Sequence, residues 1–256
     1  MKHDTPEFAA IAEGGTILRC QVGSGLHGTA VDGQDDRDEM GLCVEPAEYV
    51  TGLRPFEQYI FRTQPEGVRS GPGDLDLIVY SLRKWMRLAL TGNPTILLPL
   101  FVPDAEIVRI TGLGHDLRAN ADRIVSRAAG LRFAGYLRTQ RRRMLEGTLK
   151  VNRPELIEKY GFDTKYAMHM VRLGVQGVEL LETGRMTLPI AEPWLSWLRD
   201  LRRGKHSQEE AIAAAAELED RLDRLVRGES PVPEQPDRDW ANRWLVHAYQ
   251  SAWQAA

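Results

Sequence analysis

Acidic residues crowd together in GSGLHGTAVDGQDDRDEMGLCV, residues 23–44, directly before an apolar run. Asp36 and Asp38 are separated by one residue where a strand is predicted to begin, so both carboxylates should project from the same side of that strand. Two like charges this close repel each other unless a cation lies between them. Mg²⁺ favours one or two protein carboxylates and takes its other ligands from water and substrate phosphates. The spacing indicates either a divalent-cation site or a solvated acidic turn.

A third carboxylate would complete such a site. The stretch DLDLIVYS, residues 74–81, alternates acidic and apolar residues before a β-branched run, which predicts another strand. Asp76 is the candidate on this strand, with Asp74 as the alternative. Three carboxylates can hold two metal ions, one at an attacking oxygen and one at the leaving phosphates.

Candidate phosphate ligands precede the acidic pair. VGSGLHG follows a predicted strand and is expected to open a short helical turn. The unhindered backbone N–H groups near Gly23 and the hydroxyl of Ser24 could then bind phosphate oxygens. Most Gly-rich turns are only turns, so this hypothesis depends on the carboxylates that follow.

The elements that must position these groups are predicted in two parts. Strands are expected at residues 16–24, 39–46, 58–63 and 74–81, followed by a helix capped by Ser81. Everything after about Pro94 is expected to be helical, with helices near residues 114–129, 130–147, 153–160, 163–183, 193–203, 207–227 and 240–253. We therefore predict an α+β fold, with a small mixed β-sheet core in a domain spanning residues 1–105 and a C-terminal helical domain spanning residues 106–256.

Composition excludes several classes of protein. The chain of 256 residues is 43% hydrophobic and 27% charged, which is ordinary for a globular protein, and its net charge of -3 argues against a generally basic nucleic-acid coat. Charge is unevenly spread, with a net of -7 over residues 30–76 and +5 over residues 138–172. Such asymmetry suits a metal-plus-phosphate site, although solvated surfaces give the same sums.

The cysteines and the apolar runs of the sequence predict the cellular location. Cys20 and Cys43 both lie in apolar runs, which favours small buried hydrophobic residues in a reducing compartment. The first ten residues, MKHDTPEFAA, lack an apolar signal core, and no apolar run approaches membrane-spanning length. We expect a cytoplasmic protein with no membrane partner.

A second polar cluster lies on the predicted helix at residues 163–183. Its apolar residues share one stripe, and the opposite face carries Lys165, His169, Arg172 and Gln176 at spacings of 4, 3 and 4. Such a face binds anions if it lines a cleft and is merely solvated if it does not. Asp163 is placed to cap the start of this helix.

The order of these features resembles the DNA polymerase beta-like nucleotidyltransferase superfamily: a strand, Gly-Ser, a short helix, Asp-x-Asp at a strand entry, and a distant Asp on another strand. The closer likeness is to the predicted bacterial and phage group that includes the RNA-repair-associated branch. Besides residues 23–44, it is carried by DLDLIVYSLRKWMRLALTGNPTILLPLF and RPELIEKYGFDTKYAMHMVRLGVQGVELLETGRMTLP.

The resemblance implies roles for individual residues. Asp36, Asp38 and Asp76 would be the catalytic, metal-binding carboxylates, with Mg²⁺ or Mn²⁺ as cofactor. The implied nucleotide-binding residues are Gly23, Ser24, Asn93, Lys165, His169 and Arg172. For Asn93 this role rests on the resemblance alone, because the residue could simply cap a turn before Pro94.

Two departures from the family pattern stand out. Asp35 stands where the family usually has Ser, and it offers an alternative acidic pair with Asp36. The family tends to have Glu close to the positions of Leu98 and Pro99, and this chain has no Glu there.

The resemblance implies a metal-dependent nucleotidyltransferase that moves NMP from an NTP to an acceptor hydroxyl and releases pyrophosphate. An RNA or tRNA end is the acceptor that the likeness suggests. The alternatives are a nucleotide-binding regulator or toxin–antitoxin component without turnover, and NMP transfer to a protein side chain. A structural protein with a solvated acidic loop is the third reading. The preferred NTP and the oligomeric state do not follow from the residues.

Overall fold

The four predicted strands form, and a fifth joins them in one mixed sheet. The computed structural model describes residues 3–31, 36–65, 67–146 and 153–255. Within these residues the strands are β1 (Thr16–Val22), β2 (Arg37–Cys43), β3 (Gln58–Arg62), β4 (Leu75–Ser81) and β5 (Ile107–Ile110). Their order across the sheet is β3-β4-β2-β1-β5, with β2 and β4 parallel and the other neighbours antiparallel. The predicted α+β fold class is confirmed.

Strand β5 corrects one expectation. Everything after Pro94 was expected to be helical, yet Ile107–Ile110 pairs with β1 at the edge of the sheet, with Leu18 opposite Ile110. Its sequence, IVRI, is rich in β-branched residues, which favour an extended backbone. Four residues are too few to show a periodic pattern, and pairing with β1 therefore determines the structure here.

The helices after Ser81 follow the predicted order, except that the helix expected at residues 114–129 is divided into two, and the helices at Pro6–Gly15 and Ala47–Thr51 were not predicted. They are α1 (Pro6–Gly15), α2 (Gly23–His27), α3 (Ala47–Thr51), α4 (Leu82–Ala89), α5 (Gly112–Ala119), α6 (Ala121–Ile124), α7 (Ala128–Glu146), α8 (Pro154–Tyr160), α9 (Thr164–Thr183), α10 (Trp194–Arg202), α11 (Gln208–Arg224) and α12 (Arg238–Ala255). Short 3-10 turns lie at Leu98–Leu100 and Asp104–Glu106, and a π-helical turn at Leu225–Glu229 follows α11. In the part of the chain that the structure describes, no helix is both long and apolar enough to cross a membrane.

Both predicted helix caps are present. The hydroxyl of Ser81 accepts a hydrogen bond from the backbone N–H of Lys84, 3.3 Å away, at the start of α4. Asp163 caps α9, where its Oδ1 accepts from the N–H groups of Lys165 and Tyr166 at 2.9 and 3.1 Å. These bonds satisfy backbone donors that have no partner within the helix.

The chain divides into two compact units. Unit 1 comprises Met1–Leu90, Thr95–Ile124 and Pro236–Ala256, and holds the sheet; unit 2 comprises Thr91–Pro94 and Val125–Gln235, and holds helices α7 to α11. The core of unit 1 includes the fully buried Trp85 of α4, and that of unit 2 includes Phe133 of α7 packed on α9. The expectation of two domains that meet after residue 105 stays a prediction.

Helix α12 completes unit 1 through a buried carboxylate. Glu45, just after β2, is fully buried, and its Oε2 accepts a hydrogen bond of 2.8 Å from the Tyr249 hydroxyl. The indole N–H of Trp253 donates to the backbone carbonyl of Glu45 at 2.9 Å. Burial raises the pKa of Glu45, and these contacts tie the end of β2 to the last helix.

The two cysteines are buried and unpaired, as predicted. Burial raises the pKa of Cys20 to about 12, and it raises that of Cys43 as well. Both side chains are therefore thiols at neutral pH, with the packing role of small hydrophobic residues.

Candidate active site

The three predicted carboxylates meet at one end of the sheet. Asp38 on β2 lies directly opposite Asp76 on β4 in the parallel register, and Asp36 stands two residues before Asp38. A carboxylate oxygen from each of the three lies within 4.8 Å of the others, and all three side chains are half-buried. The same-side projection that the Asp-x-Asp spacing predicts is therefore present, and the β2–β4 pairing supplies the third carboxylate.

The Gly-Ser turn lies against this cluster. Gly23 follows β1, whose last residue, Val22, is paired with Asp38. Its backbone has a φ of +72°, and a Cβ at this position would come 1.9 Å from Oδ2 of Asp38. Only glycine tolerates both the left-handed backbone and this approach. Ser24 follows within α2, half-buried, so the predicted phosphate ligands and carboxylates are neighbours.

Asp76 has a cationic partner that the sequence analysis missed. Nε of Arg62, at the end of β3, lies 3.2 Å from both carboxylate oxygens of Asp76. Ser70 donates to Oδ1 of Asp76 at 3.0 Å and accepts from Nη2 of Arg62 at 2.8 Å. Arg62 and Ser70 therefore fix the orientation of the third carboxylate. No local pattern marks Arg62, because its position opposite Asp76 depends on the β3–β4 register.

Asp74, the alternative third carboxylate, has partners of its own. Asp74 accepts hydrogen bonds from Gln64 at 3.0 and 3.1 Å and from the backbone N–H of Gly71 at 2.9 Å, which is a turn-stabilising arrangement. Asp35, the other member of the alternative acidic pair, lies outside the described residues. Leu98 is buried in its 3-10 turn, so an apolar side chain occupies the position near which the family tends to have Glu.

The cluster fits a divalent cation by charge and by ligand type. The cluster contains three carboxylates, those of Asp36, Asp38 and Asp76. The guanidinium group of Arg62 forms an ion pair with one of them, Asp76. Carboxylate oxygens are the ligands that Mg²⁺ and Mn²⁺ prefer, and water and substrate phosphates can complete their coordination.

An ion-pair network around a buried carboxylate holds the strand that carries Asp38. On β2, Glu39 is buried, and its two carboxylate oxygens accept hydrogen bonds of 2.6 Å from Nε of Arg19 on β1 and from Nε of Arg37 on β2. Because successive side chains on a strand point to opposite faces, this network supports the face opposite Asp38.

We expect Glu39→Gln to lower the free energy of unfolding by about 1–3 kcal/mol, because it removes the buried charge that Arg19 requires. Urea denaturation would measure this change. Glu13→Gln is the matched control, since Glu13 pairs with Arg109 but is 77% exposed, and a change within about 0.5 kcal/mol is expected there. Equal losses for the two variants would contradict the prediction.

The remaining predicted site residues belong to unit 2. Lys165, His169 and Arg172 lie half-buried on one face of α9, and Gln176 on the same face is buried. Nη1 of Arg172 donates to Oε1 of Gln176 at 2.9 Å. The polar stripe is thus packed within unit 2 and is not a freely solvated surface. Asn93, also in unit 2, donates to the Tyr136 hydroxyl at 3.2 Å.

His169 lies in a positive environment. Burial lowers its pKa well below the usual value, and the charges of Arg172, Lys165, Arg202 and Arg153 lower it further. His169 is therefore neutral in the folded protein at neutral pH. Burial also lowers the pKa of Arg172, to about 10, so that side chain remains charged.

The neutral His169 predicts a pH dependence of stability. Below about pH 6.5 the unfolded chain binds a proton at this residue and the folded chain does not. The free energy of unfolding should fall as the pH is lowered through 6.5, by up to about 1.4 kcal/mol per pH unit until the folded pKa is reached. Urea midpoints between pH 5 and 8 would show a shallower fall for His169→Gln. A wild-type profile in that variant, or the same flattening in the exposed His115→Gln, would contradict the assignment.

Comparisons with known proteins bear on the family of the chain. Curated proteins gave no significant match. Among solved structures, a nucleotidyltransferase-like protein from Exiguobacterium sibiricum 255-15 is similar at 13% identity and a TM-score of 0.32, over 95% of this chain and 77% of that one. The family model described as "RlaP: RNA repair pathway DNA polymerase beta family" matches residues 2–247, nearly the whole chain. The chain therefore belongs to this polymerase beta family and is a nucleotidyltransferase.

Proposed function

We propose that the enzyme transfers NMP from a nucleoside triphosphate to an acceptor hydroxyl, with release of pyrophosphate, in a reaction that depends on Mg²⁺ or Mn²⁺. The strongest support for this proposal is the carboxylate cluster, in which oxygens of Asp36, Asp38 and Asp76 lie within 4.8 Å of one another. A purely solvated acidic turn gives no reason for carboxylates from two strands to converge.

In the proposed reaction the acceptor oxygen attacks the α-phosphorus, and the bond from that phosphorus to the α–β bridging oxygen breaks. Asp36 and Asp38 would hold the divalent cations, with Asp76 as the third ligand. A bound cation neutralises phosphate charge and makes the acceptor hydroxyl more acidic. Asp76 would accept the proton of that hydroxyl, in an orientation set by Arg62 and Ser70.

The Gly-Ser turn is proposed to bind the triphosphate. Its support is the contact between Gly23 and Asp38, which puts the backbone of the turn next to one of the proposed cation ligands. Because phosphoryl transfer needs mainly positioning and charge neutralisation, these groups and the carboxylates would suffice for the chemistry in unit 1. Nucleotide contacts from Asn93, Lys165, His169 and Arg172 remain a prediction.

An RNA end, such as that of tRNA, is the proposed acceptor. The family description, which names an RNA repair pathway, supports this choice. The cytoplasmic location stays a prediction consistent with such an acceptor. A protein side chain as acceptor, or nucleotide binding without turnover as in a regulator or toxin–antitoxin component, would be revealed by the same experiment.

The test is transfer of α-labelled nucleotide. Each of the four NTPs is incubated with Mg²⁺ or Mn²⁺, total cellular RNA and the enzyme, with EDTA and an Asp36→Ala/Asp38→Ala variant as controls. Label in RNA with the wild type alone supports the proposal and identifies the base. Label on the protein moves the acceptor to a side chain, and NTP binding without any label favours a regulator. Absence of both binding and label would overturn the proposed reaction.

A further inference from the structure

The hydroxyl of Ser70 lies at the distance from Asp76 that an acceptor hydroxyl would need. Its Oγ donates to Oδ1 of Asp76 at 3.0 Å, and Asp76 is the carboxylate proposed above to take the proton of the acceptor. A general base must lie about 2.6–3.2 Å from the atom whose proton it accepts. The hydroxyl that meets this condition here is one of the enzyme's own.

Arg62 completes a set of nucleophile, base and orienting group. Its Nε lies 3.2 Å from both carboxylate oxygens of Asp76, and its Nη2 donates to Oγ of Ser70 at 2.8 Å. A hydroxyl bonded to a base that a third group orients is the general arrangement of an activated nucleophile. The guanidinium group would also stabilise negative charge as it develops on Oγ. Because a hydroxyl oxygen has two lone pairs, the bond from Arg62 leaves one of them for attack.

Ser70 is also close to the proposed cation site. The carboxylate that it contacts, that of Asp76, has an oxygen within 4.8 Å of oxygens of the other two members of the cluster. Ser70 is half-buried in the connection between β3 and β4, where Gly71 and Gly73 follow it. A Cβ on either glycine would meet nothing within 4 Å, so the chain after Ser70 has room to adjust around a bound nucleotide.

We propose that Ser70 is a modification site, to which the enzyme transfers NMP from an NTP when no other acceptor is bound. This rests on the proposed function, because the donor and the base are the same. Oγ of Ser70 would attack the α-phosphorus, the bond from that phosphorus to the α–β bridging oxygen would break, and pyrophosphate would leave. Asp76 would take the hydroxyl proton, and the product would be a phosphodiester between Ser70 and the nucleoside.

Modification of Ser70 would stop transfer to other acceptors. The attached nucleotide would remain at the carboxylates, where a further NTP has to bind, and the esterified Oγ would have no proton to donate to Asp76. RNA would compete with Ser70 for the same base, so RNA should protect Ser70. Enzyme modified beforehand and freed of NTP is therefore expected to lose transfer to RNA in proportion to its modified fraction.

The test is incubation of the full-length enzyme with each of the four NTPs and Mn²⁺, with and without RNA. Intact mass should show one added NMP per chain, and tandem mass spectrometry of peptides should locate it on Ser70. We expect less modification when RNA is present. In a mixture with a tagged Asp38→Asn variant, which keeps Ser70, the variant chains should stay unmodified, because Ser70 and its base belong to one chain.

Substitutions at Ser70 separate modification from a structural role. Ser70→Ala should lose the added NMP, whereas Ser70→Thr, which keeps a hydroxyl, should carry it at residue 70. Ser196→Ala is the matched control. Ser196 also donates to a carboxylate, that of Glu192 at 2.8 Å, but Glu192 belongs to no metal-type cluster among the described residues. Modification of this control should stay within about twofold of the wild type.

Different outcomes identify which proposal fails. Transfer to RNA without NMP on Ser70, or NMP on another residue of the protein, would overturn Ser70 as the modification site and leave the transfer reaction standing. NMP on Ser70 with none in RNA would support the site and overturn only RNA as the acceptor. Modified Asp38→Asn chains would overturn transfer within one chain. Absence of NMP from both RNA and protein would overturn the site and the transfer reaction together.

Discussion

Asp38→Asn is expected to lower nucleotidyl transfer by a factor on the order of 10³ while the protein still folds. The change removes one negative charge from the cluster and with it a proposed cation ligand, which is paired with Asp76 across two strands. Steady-state transfer of labelled nucleotide would measure the loss, with kcat affected more than the KM for the NTP.

Stability without metal should change in the opposite direction. Unit charges no more than 4.8 Å apart repel by at least roughly 1–3 kcal/mol at effective dielectric constants of 80 to 20. Asp38→Asn removes two such repulsions, so the variant should unfold at the same or a higher temperature than the wild type in EDTA. Adding Mn²⁺ should raise the melting temperature of the wild type and should have much less effect on the variant.

Asp74→Asn is the matched control for this prediction. Asp74 lies two residues from Asp76, but its oxygens accept from Gln64 and Gly71. Transfer within a few-fold of the wild type is expected. Retention of transfer by Asp38→Asn, or an equal loss in Asp74→Asn, would rule out the proposed assignment of the carboxylates.

Gly23→Ala is expected to have a comparably large effect through geometry alone. The added Cβ would lie 1.9 Å from Oδ2 and 2.7 Å from Cγ of Asp38, so the carboxylate would have to leave its position. The φ of +72° adds a backbone cost of about 1–2 kcal/mol for any residue with a side chain. We expect a loss of both transfer and the Mn²⁺-dependent rise in melting temperature.

Gly73→Ala separates the two causes. Gly73 also has a positive φ, +87°, but a Cβ there would meet nothing within 4 Å. Both variants should lose a similar amount of stability, and only Gly23→Ala should lose transfer. If Gly73→Ala impaired transfer equally, the effect would lie in backbone strain and the contact with Asp38 would not matter.

The sequence predicts those parts of the candidate site whose residues form a pattern over a few neighbouring positions. The i, i+2 spacing of Asp36 and Asp38 depends on strand geometry, and it predicted their shared side correctly. A local pattern does not show which strands pair or in which register. The proximity of Arg62 to Asp76, which depends on the β3–β4 register, could therefore not be predicted. Helical periodicity likewise placed Lys165, His169 and Arg172 on one face of α9, but not the depth of that face within unit 2.

The contact between Glu45 and Tyr249 determines which of the two units can be completed first during synthesis. The two residues are 204 positions apart, which corresponds to roughly 10–40 s of translation at 5–20 residues per second. The stretch that forms most of unit 2, residues 125–235, leaves the ribosome complete within that interval. Until Tyr249 has been synthesised, Glu45, which is fully buried in the folded protein, lacks the hydroxyl that donates a hydrogen bond to its carboxylate. Unit 1, which carries the proposed catalytic carboxylates, is therefore begun before unit 2 on the ribosome and is completed after it.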